Sequence, residues 1–256
     1  MASSVSADVR TEIRDRVAVL TVSDPARRNA MNLDIAAKLV AAVDAAVADD
    51  GVGAIVVTGE DPAFCAGADL AELAAADPDT LRAVYGGFVA VAQCPLPTIA
   101  AVNGAAVGAG MNLALACDVR LAGPTAKFDS RFLQIGLHPG GGYTWMLTRA
   151  VGVQRAAAMS LFGESADAAE AERIGLVHRV VDDVLDAAVA MAAKAAAAPK
   201  ELTIATKATL RSAAVLDTQQ EVLEIEVARQ AESLRSPQAQ ELIASLRARI
   251  SKAGAR

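Results

Sequence analysis

The chain has 256 residues, enough for one large α/β domain or a main domain with a small appendage, and its formal charge at pH 7 is −6. That charge and the absence of a lysine- or arginine-rich block argue against general nucleic-acid binding, and no apolar run approaches the roughly 20 residues of a membrane helix. The N-terminal sequence does not resemble an export signal, and three scattered cysteines favour neither disulfides nor a zinc site, so we expect a cytoplasmic protein.

Runs rich in valine and isoleucine alternate with helical segments along most of the chain. The predicted strands cover residues 17–22, 52–59, 98–104, 119–123 and 176–181. After the first strand comes an apolar stripe at helical spacing, formed by Ala36, Leu39, Val40, Val43 and Val47. This alternation predicts an α/β fold in which the strands are buried behind helices.

The composition changes at Pro199. The alanine-rich run before it predicts a helix that ends there, because alanine is the best helix former and proline lacks a backbone donor. Beyond it, charged residues recur every few positions, with heptad-like apolar spacing and no convincing strand. We therefore predict a core at 1–198 and a helical region at 199–256, which packs on its own core or on another subunit.

Three segments are candidates for a functional site. Residues 60–70 and 98–118 each lead from a strand through a turn of small residues into a helix, where backbone N–H groups stay free to bind a negatively charged oxygen. Two such turns in one domain can present two N–H groups to one oxygen, as an oxyanion hole does. The third segment places Arg27 and Arg28 in a turn before a helix, and arginine suits phosphate.

Taken singly, these segments also fit purely structural interpretations. The first two are compatible with tight turns and ordinary packing, and the third with a solvated loop. A dinucleotide site does not fit, because Gly108 and Gly110 are not followed by a glycine at the third position beyond. The sequence also contains no GxxxxGK, GxSxG or HExxH motif.

Together, the motifs resemble the enoyl-CoA hydratase/isomerase family, also called the crotonase superfamily. The resemblance covers nearly the whole chain and rests on "DPARRNAMN", "FCAGADL", "AAVNGAAVGAGMNLALACDVRLAG", "FDSRFLQIGLHPGGGYTWMLTRAVG" and "AERIGLVHRVV". It implies an α/β core of repeated ββα units wound into a spiral, and a C-terminal helical region used in trimerisation, often within a dimer of trimers. It implies no separate cofactor, because coenzyme A is part of the substrate.

The resemblance also implies an acyl-CoA ligand whose thioester oxygen is held by two backbone N–H groups. On this sequence those groups belong to Ala68 and Ala109. Arg27 and Arg28 are placed to meet the CoA phosphates. The family's CoA contacts map, mostly through backbone atoms, to Ala26, Arg28, Ala30, Ala66, Asp69 and Leu70.

Two positions depart from the family pattern. Members that hydrate enoyl-CoA use two glutamates, and the corresponding residues here are Asn112 and Phe132. Neither an amide nor a phenyl ring can take a proton from water at neutral pH. Because each lost acid or base costs about 10²–10⁴-fold in rate, we do not expect standard hydration of 2-enoyl-CoA.

If the protein is an enzyme, another group must move the proton. His138 is the leading candidate, because histidine changes its charge near neutral pH and the family places this turn near the acyl group. A structural hydrogen bond is the alternative role for His138, and Asp129, Ser130 and Arg131 are further candidates. Two functions stay open: a lyase or isomerase that stabilises a thioester enolate, and an acyl-CoA-binding protein that has lost turnover.

Overall fold

The computed structural model describes residues 7–253, with side chains described up to residue 250. The chain divides between Ala198 and Pro199 into two compact units. The first unit contains two β-sheets and seven α-helices among its described residues, and the second contains three helices. Within residues 7–253, no helix combines the length and the apolar character needed to cross a membrane.

A six-stranded sheet lies at the centre of the first unit. Its strands, in spatial order, are β1 (Asp8–Arg14), β2 (Val17–Ser23), β3 (Ala54–Gly59), β5 (Thr98–Val102), β7 (Val119–Ala122) and β10 (Arg179–Val180). Strands β1 and β2 pair antiparallel, and all the other neighbours pair in parallel. Every residue of β3 and β5 is buried, as expected for the central strands of a parallel sheet.

A smaller sheet of four short strands carries the turns that the sequence singles out. Its strands, in spatial order, are β4 (Ala63–Cys65), β6 (Ala105–Val107), β8 (Lys127–Asp129) and β9 (Ala166–Asp167). The first three run parallel, and β9 pairs antiparallel with β8. These strands escape sequence-based prediction because two or three residues are too few for a periodic pattern.

Helices surround the two sheets of the first unit. They are α1 (Leu33–Ala48), α2 (Leu70–Ala74), α3 (Pro78–Gln93), α4 (Ala109–Ala116), α5 (Tyr143–Leu161), α6 (Ala168–Arg173) and α7 (Val184–Ala196). The second unit contains α8 (Lys200–Ala213), α9 (Gln219–Leu234) and α10 (Pro237–Ala253). The α/β alternation and the helical C-terminal region therefore agree with the sequence.

Helix α1 shows how the apolar stripe specifies packing. The Asn32 side chain caps the helix by accepting a hydrogen bond of 2.8 Å from the Ile35 N–H. Ala36, Leu39 and Val43 are buried as predicted, and Ile35 extends the stripe by one position. The helix packs against β1, β2 and α3, so this face forms part of the core.

Helix α4 rests directly on the backbone of β4. A Cβ atom at Gly110 would overlap the carbonyl oxygen of Cys65, so only glycine fits this contact. We expect Gly110→Ala to lower the free energy of unfolding by about 1–3 kcal/mol, because the helix must move away from the strand. Urea unfolding measures the change.

Gly86→Ala in helix α3 is the matched control. A Cβ there meets only Val40 Cγ2, at 4.0 Å, so the change should stabilise the protein by about 0.5–1 kcal/mol through helix propensity. Equal effects of the two substitutions would show that α4 is not fixed by this contact.

Candidate active site

The two turns of small residues lie side by side because the strands that lead into them are neighbours. Strands β4 and β6 pair in parallel, with Ala63 opposite Ala105 and Cys65 opposite Ala106. The carboxyl ends of parallel strands meet at one edge of a sheet, where ligands commonly bind. Ala68 follows the first strand and Ala109 follows the second, so both belong to this edge.

The N–H groups of Ala68 and Ala109 are available to a ligand. Two hydrogen bonds with Met31 flank Ala68: the Met31 N–H donates to Gly67 O at 2.7 Å, and the Asp69 N–H donates to Met31 O at 2.8 Å. The Ala68 N–H itself donates to no acceptor in the described chain. Ala109 opens helix α4, where the first N–H has no intrahelical acceptor and no side chain caps the end.

The backbone geometry of the first turn depends on Gly67. Its φ of +116° lies in the region that favours glycine. This conformation lets the chain turn between β4 and α2 while keeping both hydrogen bonds to Met31. The exposed face of the turn therefore carries an N–H group and no bulky side chain.

A cavity of about 290 Å³ opens at this edge, and its wall is mainly apolar. It brings together most of the residues that the sequence predicts for the site. These are Ala66, Ala68, Asp69, Leu70, Ala109, Asn112, Ser130, Arg131, Phe132 and His138. The first motif, "DPARRNAMN", spans residues 24–32. Its predicted CoA residues lie outside the cavity wall: Ala26, Arg27, Arg28 and Ala30.

The first motif is nevertheless fixed beside the cavity. Buried Asn29 donates from its amide to Glu60 O at 2.6 Å and to Ala63 O at 2.7 Å. The Ala66 N–H donates to Arg28 O at 3.0 Å, which joins the motif to the cavity wall. The guanidinium of Arg27 lies 3.5 Å from the Asp69 carboxylate. The motif thus adjoins Ala66 and Asp69 at the rim.

The Arg28 side chain is exposed, and it makes no ion pair within the part of the chain that the structure describes. Its backbone adopts the left-handed conformation that ends the short helix Pro25–Arg27. Its backbone oxygen adjoins the cavity-wall residue Ala66, and a free guanidinium is suited to an anionic ligand.

Asn112 and Phe132 both line the cavity, and neither brings a charge to it. Asn112 is 2% exposed, and its Nδ2 donates to Gly140 O at 2.9 Å. The Phe132 ring packs edge-to-face on Tyr143, with 5.1 Å between the ring centres. The two positions that carry glutamate in hydratases therefore supply an amide and an aromatic wall.

The two carboxylates that line the cavity, Asp69 and Glu72, both accept hydrogen bonds from backbone N–H groups. Asp69 accepts hydrogen bonds from the N–H groups of Ala71 and Glu72 at the start of α2. The Glu72 side chain accepts one from the Leu33 N–H at 3.0 Å. Both acids therefore hold the local backbone in place.

The side chains of the three residues that precede Phe132 also have partners within the protein. Asp129 is buried outside the cavity wall and pairs with Arg131 at 2.6 Å. Ser130 lines the cavity, but its hydroxyl donates to Met159 O at 2.8 Å. These contacts favour a structural role for Asp129 and Ser130.

His138 lines the cavity and is exposed to solvent. Its Nδ1 lies 2.7 Å from Pro139 O. Because a carbonyl oxygen only accepts, Nδ1 carries the proton and Nε2 keeps its lone pair in the neutral ring. The contact thus gives His138 a structural hydrogen bond and at the same time leaves it one basic nitrogen.

Tyr85 is a cavity residue that the sequence does not identify. It projects from helix α3, and burial raises its pKa above the ordinary value for tyrosine. Its only sequence signal is an aromatic residue within a mainly apolar helix, which is typical of packing. Tyr143, by contrast, is fully buried and lies outside the cavity wall.

Cys65 is buried beneath the first turn, and burial raises the pKa of its thiol to about 11. The thiol therefore stays protonated at neutral pH, as expected for an inert cysteine.

Comparison with known proteins agrees with this architecture. The family model for enoyl-CoA hydratase/isomerase matches residues 12–247. A Mycobacterium tuberculosis protein named as a probable enoyl-CoA hydratase is 54% identical over 240 residues, which cover 90% of this chain and 93% of the relative. The 2,3-dehydroadipyl-CoA hydratase of Escherichia coli is 41% identical over 190 residues, which cover 72% of this chain and 73% of that enzyme.

Solved structures share the fold over nearly the whole chain. The crystal structure of an enoyl-CoA hydratase from Polaromonas matches with a TM-score of 0.88 at 30% identity, covering 94% of this chain and 97% of the other. The match confirms the crotonase-like α/β fold that the sequence predicts. The chain belongs to the enoyl-CoA hydratase/isomerase family.

Proposed function

We propose that the protein is a lyase or isomerase that acts on acyl-CoA thioesters and holds the thioester oxygen on the N–H groups of Ala68 and Ala109. The observation that carries this proposal is the position of those two groups. Both lack a protein acceptor within residues 7–253, both follow neighbouring parallel strands, and both line one mainly apolar cavity. Membership of the family supports an acyl-CoA ligand.

The two N–H groups stabilise the charge that develops during the reaction. Removing a proton from the α-carbon, or breaking another bond to it, moves an electron pair toward the thioester oxygen. Two fixed donors in an apolar cavity stabilise that oxyanion more than the neutral thioester. Helix α4 adds the positive end of its dipole at Ala109.

The proton chemistry differs from that of the hydratases. Neither Asn112 nor Phe132 can activate water, whereas Nε2 of His138 can accept a proton from the α-carbon. A substrate whose carboxylate leaves as carbon dioxide would require less help from acids and bases. Both reactions pass through the same thioester enolate.

In this proposal, the CoA portion of the substrate lies along residues 24–32 and 64–70. Arg27 and Arg28 meet its phosphates from the rim of the cavity. Backbone atoms contact the rest of the carrier at Ala26, Ala30, Ala66, Asp69 and Leu70. Coenzyme A enters as part of the substrate, so no separate cofactor is required. A homotrimer, or a dimer of trimers, built through the C-terminal helices stays a prediction of the family resemblance.

Exchange of the α-hydrogens of butyryl-CoA in D2O tests the proposal without assuming the final reaction. We expect the protein to bind butyryl-CoA and to catalyse the exchange, which mass spectrometry detects. His138→Ala should slow the exchange about 10²–10⁴-fold and change the Kd less than about twofold. His178→Ala is the control, because His178 is exposed outside the cavity.

Binding without exchange would identify a non-catalytic acyl-CoA-binding protein instead. The loss of both hydratase carboxylates is the observation that favours this second function. Equal exchange by the His138→Ala variant and the unmodified protein would show that another group is the base.

A further inference from the structure

The turn at residues 138–142 carries His138 at its start and has little conformational preference of its own. It contains three successive glycines, Gly140 to Gly142. Gly141 and Gly142 have φ of +67° and +82°, in the left-handed region that glycine enters at no steric cost. Because a run of glycines can adopt many other conformations, contacts from outside the turn must hold this one.

Asn112 joins this turn to helix α4. Its Nδ2 donates to Gly140 O at 2.9 Å, and the same carbonyl accepts from the Tyr143 N–H at 3.3 Å. A Cβ atom added to Gly141 would overlap both Asn112 Nδ2 and the Phe88 ring, so the turn packs closely on helices α3 and α4. Within residues 7–253, no other side chain from outside the turn donates to its backbone.

Only half of the Asn112 amide has a partner. Since the carbonyl of Gly140 only accepts, Nδ2 must face it and Oδ1 must point the other way. Oδ1 is buried, and no residue of the described chain donates to it. A buried acceptor without a donor destabilises a folded protein, so an apolar side chain of the same shape would serve packing at least as well. The bond from Nδ2 to Gly140 is the contact that requires an amide.

The same turn determines the tautomer of His138. Nδ1 lies 2.7 Å from Pro139 O, and that carbonyl belongs to the peptide that leads into Gly140. The hydrogen bond at Nδ1 leaves Nε2 as the basic nitrogen. We propose that Asn112 is a positioning residue, which acts through Gly140 and holds His138 in this tautomer in the cavity wall. The inference rests on the proposed function, in which Nε2 of His138 is the base.

Helix α4 thereby fixes the oxyanion donor and the base relative to each other. Ala109 is the first residue of the helix, and Asn112 lies three residues later, which is about one turn. The N–H of Ala109 meets the thioester oxygen, while Asn112 anchors the turn that carries His138. This connection matters for the rate, because misplacing a reacting group by about 1 Å can cost about 10²-fold.

Asn112→Leu tests the connection, because leucine has the same branched shape and no donor. We expect the exchange of the α-hydrogens of butyryl-CoA in D2O to slow about 10²-fold, with a change in Kd of less than about twofold. In the His138→Ala variant, the added Asn112→Leu substitution should slow exchange less than about twofold further, since a residue that acts through His138 has no effect once His138 is removed. Asn112→Ala, which adds no bulk beside the turn, should give the same two results.

Asn103→Leu is the matched control. Asn103 also donates from Nδ2 to a glycine carbonyl, Gly59 O at 2.9 Å, and its Oδ1 is likewise buried without a donor in the described chain. It lies outside the cavity wall. This variant should exchange butyryl-CoA at the unmodified rate.

Nitrogen-15 NMR of the histidine rings gives a readout besides activity. The chain has two histidines, so His178→Ala assigns both rings by difference. At alkaline pH we expect His138 of the unmodified protein to carry its proton on Nδ1. In Asn112→Leu the ring should become a mixture of the two tautomers, because the carbonyl that fixes Nδ1–H is no longer held.

Three results would overturn the positioning role. They are a His138 ring that keeps a single tautomer in Asn112→Leu, equal slowing by Asn112→Leu with and without His138, and equal slowing by Asn103→Leu. Failure of the unmodified protein to exchange butyryl-CoA, or exchange that is unaffected by His138→Ala, contradicts the proposed function instead. The NMR comparison still decides in that case whether Asn112 holds the ring.

Discussion

Replacing Ala109 with proline is expected to slow α-hydrogen exchange of butyryl-CoA about 10²–10³-fold, the usual cost of removing one donor from an oxyanion hole. Proline lacks the backbone N–H that we assign to the thioester oxygen. Ala109 is the first residue of helix α4, a position where proline is well tolerated because that N–H has no intrahelical partner. Loss of exchange would therefore report on the donor, and urea unfolding would verify that the fold persists.

Gln219→Pro provides the matched control. Gln219 is the exposed first residue of helix α9, and Thr218 before it is extended, with φ −124° and ψ 145°, as a residue preceding proline prefers. This variant should exchange butyryl-CoA at the unmodified rate. If Ala109→Pro did the same, the thioester oxygen would have to lie elsewhere.

Introducing glutamate at both Asn112 and Phe132 should have the second large effect, a gain of function. We expect hydration of crotonyl-CoA to rise at least about 100-fold, since each acid or base contributes about 10²–10⁴-fold when it is correctly placed. Both positions line the cavity near Ala109, so the new carboxylates can hold a water beside the conjugated double bond. Loss of the enoyl thioester absorbance measures the rate.

The paired glutamine variant, Asn112→Gln with Phe132→Gln, separates basicity from shape. Glutamine has the size of glutamate but no useful basicity, so this protein should hydrate crotonyl-CoA no faster than the unmodified one. If the unmodified protein already matched the double glutamate variant, water would be activated by a group other than these two.

The sequence predicts the fold well where its patterns are long. The Val/Ile runs and the stripe of α1 correspond to buried strands and a buried helical face, because period and burial reinforce each other over many residues. The predicted strand at 176–181 shortens to Arg179–Val180, and the helix expected after Leu70 ends at Ala74. Strand β1 is also missed, since its residues are mostly exposed and charged.

The candidate site is harder to predict from the sequence, because contacts between segments that are distant in the chain bring its residues together. The sequence shows two similar turns, but only the parallel pairing of β4 with β6 brings Ala68 and Ala109 to one edge. Tyr85 reaches the cavity from a helix whose pattern resembles ordinary core. The unpaired oxygen of Asn112 likewise depends on the position of Gly140, distant in sequence.

The central claim is that Ala68 and Ala109 donate hydrogen bonds to the thioester oxygen. The most direct measurement is the infrared carbonyl frequency of butyryl-CoA labelled with carbon-13 at the thioester carbon, free and bound. We predict a lower frequency in the bound ester than in water, because two fixed donors polarise the C=O bond, with part of the shift lost in Ala109→Pro. A bound ester whose carbonyl frequency equals or exceeds its value in water would contradict the account.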